Sequence, residues 1–253
     1  MAKAWIGLSG YSYKPWQGEG RFYPPELKQT QFLEFYRDRY DAVEMDGSWY
    51  RVPSEKAVED WNAKTPESFK FSFKLHRKIT HIGRLKLDQI DLLKFMLKRL
   101  GPLAKTDKLG PFLIQLPPTM KRNDTRAKEF FENLPVQIEG CDSLPSKLQW
   151  AIEFRSDTWH DPAIEQLLRD FNIAWVAADT DENDAQRRDT ADFVYARLRK
   201  SDYTPEMLRD WSNYLAQSGK PSYVYCKHED EESPWVWADQ ILENLKIESL
   251  SQL

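Results

Sequence analysis

The chain has 253 residues and carries 36 Lys and Arg against 40 Asp and Glu, a net charge of −4. That balance excludes a general electrostatic nucleic-acid binder and leaves only a local basic cleft for such chemistry. The opening MAKAWIGLSGYS lacks the apolar core of a signal peptide and no run reaches the length of a membrane span, so a cytoplasmic protein with no membrane partner is expected.

Taken in chain order, short apolar runs alternate with helical patterns. AWIGLS (4–9) comes first and ends in a hydroxyl, and QTQFLEFYRDRY (29–40) then places Phe32, Phe35 and Tyr36 at helical spacing. AVEMD (42–46) precedes SEKAVEDWNAK (54–64), and FSFKLH (71–76) precedes LDQIDLLKFMLKRL (87–100), the most amphipathic helix of the chain. FLIQL (112–116) is followed by TRAKEFFENL (125–134), and WAIEFR (150–155) by DPAIEQLLRDF (161–171), whose Asp-Pro start is a cap and first-turn pair. After AWVAAD (174–179) the polar stretch 179–192 shows no apolar stripe, so that crossover reads as a loop or a short helix. VYARLR (194–199), TPEMLRDWSNYLAQSG (204–219), YVYCK (223–227) and SPWVWADQILENL (233–245) complete the pattern. Eight strands with alternating helices give a single (β/α)8 TIM barrel over residues 1–253, with an irregular crossover between strands 6 and 7. An open doubly wound sheet is the rival architecture. Cys141, in an expected loop, and Cys226, in an expected strand, read as two reduced thiols, too few for a disulfide framework or a thiolate metal cluster.

All but the first of these apolar runs carry a charged or amide side chain at or next to their carboxyl ends, and polar groups there are how parallel α/β proteins assemble a site. Strand parity sharpens this expectation. Phe71, Phe73 and Leu75 oppose Ser72, Lys74 and His76, while Trp150, Ile152 and Phe154 oppose Ala151, Glu153 and Arg155. With the bulky faces against the helices, Glu44, Lys74, Gln115, Glu153, Arg155, Asp179, Arg197 and Lys227 point into one barrel mouth.

These segments also resemble a known family. IGLSGYSYKPWQGEGRFYPPEL (6–27), VEMDGSWYRVPS (43–54), FKFSFKLHRKITH (69–81), LGPFLIQLPPTM (109–120), AIEFRSDTW (151–159) and TADFVYARL (190–198) are similar, in that order, to the DUF72 or YecE-like TIM-barrel proteins. The resemblance implies the barrel and the place of its site, and it brings with it a reported likeness to TIM-barrel nucleases that is analogy alone. Two segments depart from the family pattern: Asp46 and Gly47 stand where an Asn-Ser or Asn-Thr pair is usual, and YVYCKHEDEESP (223–234) replaces an Asn-rich segment.

Four chemistries compete for the mouth. In the first, Glu44 and Glu153 are the catalytic proton carriers, Lys74, Arg155 and Arg197 clamp an anion, Gln115 orients the bound group, and Asp179 also lines the substrate site. The opposing structural reading is a closed ion network, since Glu44, Asp46, Glu153 and Asp179 match Lys74, Arg155, Arg197 and Lys227 one for one. A second chemistry is a divalent metal on Glu44, Glu153, Asp179 and His76; the mouth cations and the absence of a ligand motif oppose it, so no cofactor is expected. A third is phosphodiester or nucleic-acid binding, with Tyr11, Tyr13, Trp16, Trp49, Tyr50 and Trp159 as a stacking wall on the loops. The fourth is a non-catalytic small-ligand barrel. His81 reads as a loop residue more readily than as a catalytic one, and the acidic run 228–232 as a solvated loop or, less readily, a lid. The expectation adopted is a hydrolase- or lyase-like enzyme for a small anionic or phosphate-containing substrate, with a non-catalytic nucleic-acid or ligand-binding barrel as the alternative.

Overall fold

Strands buried on both faces read as nearly continuous apolar runs, and each run of the sequence forms such a strand. The computed structural model describes residues 2–139, 147–227 and 234–251, so Cys141 and the acidic run 228–232 lie outside the described residues. The strands are β1 (Ala4–Ser9), β2 (Ala42–Met45), β3 (Lys70–Lys74), β4 (Leu109–Gln115), β5 (Trp150–Glu153), β6 (Ile173–Trp175), β7 (Ala177–Ala178), β8 (Val194–Leu198) and β9 (Ser222–Cys226). All pair in parallel within one sheet, in the order β6-β5-β4-β3-β2-β1-β9-β8-β7.

The two ends of that order are pieces of one extended segment. β6 pairs with β5 and β7 with β8. Val176 separates the pieces, and its amide donates to the Ile152 carbonyl at 2.9 Å. The ring therefore closes across a broken sixth strand, giving the eight positions of an α/β TIM barrel.

The helices are α1 (Phe32–Arg37), α2 (Glu55–Lys64), α3 (Ile90–Arg99), α4 (Gly101–Lys105), α5 (Asp124–Glu132), α6 (Pro162–Asp170), α7 (Pro205–Ser218) and α8 (Pro234–Ser251). Their ends follow local chemistry. The Thr204 side chain accepts from the Met207 amide at 3.3 Å to start α7, Pro205 occupies its first turn, and Gly219 at φ 65° ends it. Removing a cap of this kind costs about 1 kcal/mol. The run 87–100 forms a 3-10 turn and α3, and Pro102 then starts the separate short α4, which periodicity did not reveal. Residues 179–193 contain no helix, so the irregular crossover is a loop. No helix among the described residues is long and apolar enough to cross a membrane.

Parity sorts the core into two layers. Phe71, Phe73, Phe112, Ile114 and Ile152 face the helices. Ala42, Leu113, Ala151, Ala174, Tyr195 and Tyr225 fill the barrel's interior. Small interior residues on β2 and β5 leave room for tyrosines from β8 and β9, and the Ser72 and Tyr225 hydroxyls meet inside at 2.7 Å. Above this plug, at the carboxyl ends of the strands, the interior turns polar.

Candidate functional site

Register sets the polar layer: Ser9 lies beside Glu44, and Gln115 beside Glu153. Arg197, one step along β8 from interior Tyr195 by the two-residue repeat, is fully buried between the two carboxylates. Its Nη2 donates to Glu44 Oε1 at 2.7 Å and its Nη1 to Glu153 Oε2. Glu44 also accepts from the Ser9 hydroxyl and, at 2.7 Å, from the Tyr195 hydroxyl. Gly10, at φ 95°, turns the chain out of β1, and its amide donates to the Glu44 carbonyl at 2.8 Å.

Glu153 is the most heavily shared group. Besides Arg197 it accepts from Gln115 Nε2 at 2.9 Å and Arg155 Nε at 2.8 Å, and Arg199 Nη1 stands 3.5 Å away. Burial alone would raise its pKa, but the Arg197, Arg155 and Arg199 guanidiniums outweigh burial and hold it well below the usual carboxylate range. Asp46 behaves alike: burial opposes ionisation, yet Lys227, at 2.9 Å, together with Arg197 and Lys74 holds it down at about 2.

Lys74 differs from every other cation here. Its ammonium makes no hydrogen bond or ion pair with a described residue and lies 5.0 Å from the centre of the Trp49 ring. Burial, opposed by Asp46 and reinforced by Arg197, pushes it down to about 8. His81 stands in the field of Lys74, Arg155 and Glu153, and burial followed by the two cations keeps its imidazole below its ordinary value. Trp49 and Thr80 both reach His81 Nδ1, at 3.4 and 2.9 Å.

Beside this network opens a cleft of about 480 Å³, lined by Glu153, Arg155 and Arg199 together with Trp175 and residues of the helix-free crossover. Arg155 and Arg199 keep 31% and 23% of their side-chain surface exposed. The buried Arg199 Nε finds no acceptor among the described residues. The arrangement thus brings two partly exposed guanidiniums to a solvent-reached cavity, which suits an anion.

The mouth gathers Glu44, Lys74, Gln115, Glu153, Arg155, Arg197 and Lys227 as parity implies. Asp179 is not among them. Ala174 and Ala178 face the interior, so Asp179 turns outward, where it accepts from the Tyr203 hydroxyl at 2.6 Å, Trp211 Nε1 at 3.3 Å and the Arg199 amide at 2.7 Å. It staples the end of the broken strand to α7. His76 also turns from metal binding to loop bracing: Nδ1 accepts from the Lys78 amide at 3.1 Å and Nε2 meets the Tyr50 carbonyl at 3.0 Å. The set Glu44, Glu153, Asp179 and His76 is therefore not assembled.

The aromatic wall mostly becomes packing. Trp16 is buried against Phe22 and Trp235, and Trp159 stacks on Phe154 at 4.8 Å while donating to the Met120 carbonyl. Tyr13 packs on Trp16 at 4.8 Å, and the Tyr11 hydroxyl accepts from Trp61 at 3.0 Å. Tyr50, 67% exposed, is the member left open to solvent. Arg199 was missed in the sequence although it lies two residues beyond Arg197 and so shares its parity; no sequence signal marked His81 as a neighbour of Lys74.

Fold and site together define a parallel α/β barrel with a charged mouth at the carboxyl ends of its strands. The chain belongs to the family described as "Protein of unknown function DUF72", which matches residues 5–252. It is 27% identical over 183 residues to UPF0759 protein YunF of Bacillus subtilis, a match covering 70% of this chain and 60% of YunF. A DUF72 family protein from Thermotoga maritima shares the fold at a TM-score of 0.79 and 24% identity, with 96% and 99% of the two chains covered. A xylose isomerase domain protein from Alicyclobacillus acidocaldarius shares the barrel more distantly, at a TM-score of 0.54 and 11% identity over 97% and 98% of the chains.

Proposed function

We propose that the mouth is the active site of a hydrolase- or lyase-like acid/base enzyme whose substrate is a small anion, a carboxylate or phosphate, entering beside Arg155 and Arg199. One observation carries this reading: three guanidiniums crowd one carboxylate, Glu153, and two of them face the cleft. A closed structural network would balance its buried charges, because an unmatched buried charge is expensive. In the inner layer, Lys74, Arg155, Arg197, Arg199 and Lys227 stand against Glu44, Asp46 and Glu153, two more cations than acids within that set.

The rim narrows the substrate class. Asp157, Glu182 and Asp184 line the outer cleft, and the side chains of Asp157 and Asp184 are almost wholly exposed. They repel an extended polyanion while leaving the deeper guanidiniums to a compact one. Most of the stacking wall being consumed in packing argues the same way. Within the mouth, Glu153 fits a fixed counter-charge better than a proton donor, since its partners keep it ionised. Lys74, which burial pushes down to about 8, suits acid/base work better.

Calorimetric titration with inorganic phosphate at low salt tests the reading. Binding to the unaltered protein and a weakening of about tenfold or more in R199Q are expected, from the roughly 1.5–3 kcal/mol of a charge-assisted hydrogen bond. Equal binding by both proteins, or no binding to the unaltered one, would overturn it.

A further inference from the structure

Lys74 sits at the end of β3 with its backbone fixed: its carbonyl accepts from the Ser48 hydroxyl at 2.7 Å, and the next amide donates to the Leu113 carbonyl at 2.9 Å. The side chain that leaves this fixed point is buried. The other mouth cations are each held by carboxylate oxygen: Arg197 by Glu44 and Glu153, Arg155 and Arg199 by Glu153, and Lys227 by Asp46. Lys74 has only the face of Trp49. A cation kept for charge balance would be expected to reach the nearby Asp46, and a cation kept for packing would be cheaper as an apolar residue.

We propose that Lys74 is an amine nucleophile that captures a small carbonyl-bearing anion, a keto acid or an aldehyde phosphate, as an imine, with the anionic group held by Arg155 and Arg199. The inference deepens the function proposed above and rests on it. The charged and titratable groups around Lys74 are Glu44 and Asp46 at the end of β2, Arg197 on β8, Lys227 after β9 and His81 in the following loop. Asp46 Oδ2 accepts from Lys227 and Ser9, while its buried Oδ1 has no hydrogen-bond partner among the described residues; Glu44 is taken by Ser9, Tyr195 and Arg197. His81 is the neighbour with the chemistry to relay a proton. Arg155 and Glu153, which line the cleft, also act on the His81 imidazole, so His81 lies in the field of both the amine and the cleft's charged residues.

The step balances. The Lys74 ammonium first gives up one proton, and the freed Nζ lone pair forms a bond to the carbonyl carbon while the π pair moves to oxygen. Two protons then reach that oxygen, the C–O bond breaks with release of water, and the nitrogen lone pair closes the C=N bond. The ammonium's hydrogens end as one on the iminium nitrogen and two in the water, and no oxidant or reductant is needed. An amine held at about 8 offers on the order of a hundredfold more free base at pH 7 than an exposed lysine.

Reductive trapping tests the proposal. The full chain is incubated with pyruvate, or separately with glycolaldehyde phosphate, in the presence of borohydride, and the adduct is located by peptide mapping. A single dominant adduct at Lys74, at least about tenfold above any other lysine, is expected from the difference in free amine. Comparison of the two probes tells keto acid from aldehyde phosphate. K74R should lose the adduct while melting cooperatively, and the R155Q/R199Q pair should lower labelling about tenfold at limiting probe. Adducts spread over exposed lysines in the unaltered protein would overturn the proposal whether or not K74R folds. Phosphate binding without a Lys74 adduct would overturn the imine and leave the anion site standing. A Lys74 adduct indifferent to Arg155 and Arg199 would keep the imine and overturn the anion clamp.

Discussion

The two ends of the barrel spend their charges differently. At the amino ends of the strands Lys3 pairs with Asp41, Lys70 with Asp107 and Lys220 with Asp189, each cation with its own acid, and those acids are at least about one-third exposed. At the carboxyl ends Arg197, Arg155 and Arg199 share Glu153, while Lys227 and Arg197 share Asp46, on acids that are nearly buried. One-to-one pairs on an exposed rim cost little and contribute little. Buried, oversubscribed acids are costly, and such clusters concentrate at functional sites.

The sharpest way to break this contrast is R197M. It strands Glu44 and Glu153 without their shared cation, and a loss of about 3–5 kcal/mol in denaturant unfolding is expected. A loss below about 1 kcal/mol would make the two ends alike. Acid unfolding supplies a smaller test. Asp46 is held at about 2, below the ordinary value of about 3.9, so its contribution is fully present above the unfolded value and is lost as pH falls toward 2. Removing that contribution with D46N should flatten the stability profile between about pH 4 and 2, by roughly 2 kcal/mol. An unchanged profile would mean that Asp46 is not held by the mouth cations. The smallest effect belongs to the other end, where K220M should cost no more than about 1 kcal/mol and should be masked further by salt.

Much of the barrel was legible because two simple periods suffice for it. The alternation of Phe71 and Phe73 with Ser72 and Lys74 placed the inner and outer faces correctly, and the Asp161-Pro162 and Thr204-Pro205 pairs placed helix starts. Applied without a lapse, the same parity would have turned Asp179 outward, behind Ala178, and brought Arg199 inward beside Arg197. The aromatic loops were beyond such reasoning. Trp16 is buried because residues from α8, more than two hundred positions away, cover it, and no local pattern announces that contact. The setting of Lys74 is equally non-local, since its ammonium faces the Trp49 ring from the segment after β2 and the charges of Asp46 and Arg197.

The crossover without a helix has a consequence of its own. Residues of 180–186 line the cleft, and the segment is fastened from outside by Arg187, set against Trp211 and Tyr214, and by Arg188, set against Trp175. Under the function proposed above, substrate choice would be written on a cassette pinned by two guanidinium rivets rather than by a hydrophobic helix face. Such a cassette can be rewritten in length and sequence while the barrel beneath it keeps its packing, which gives the scaffold room to change its diet without relearning how to fold.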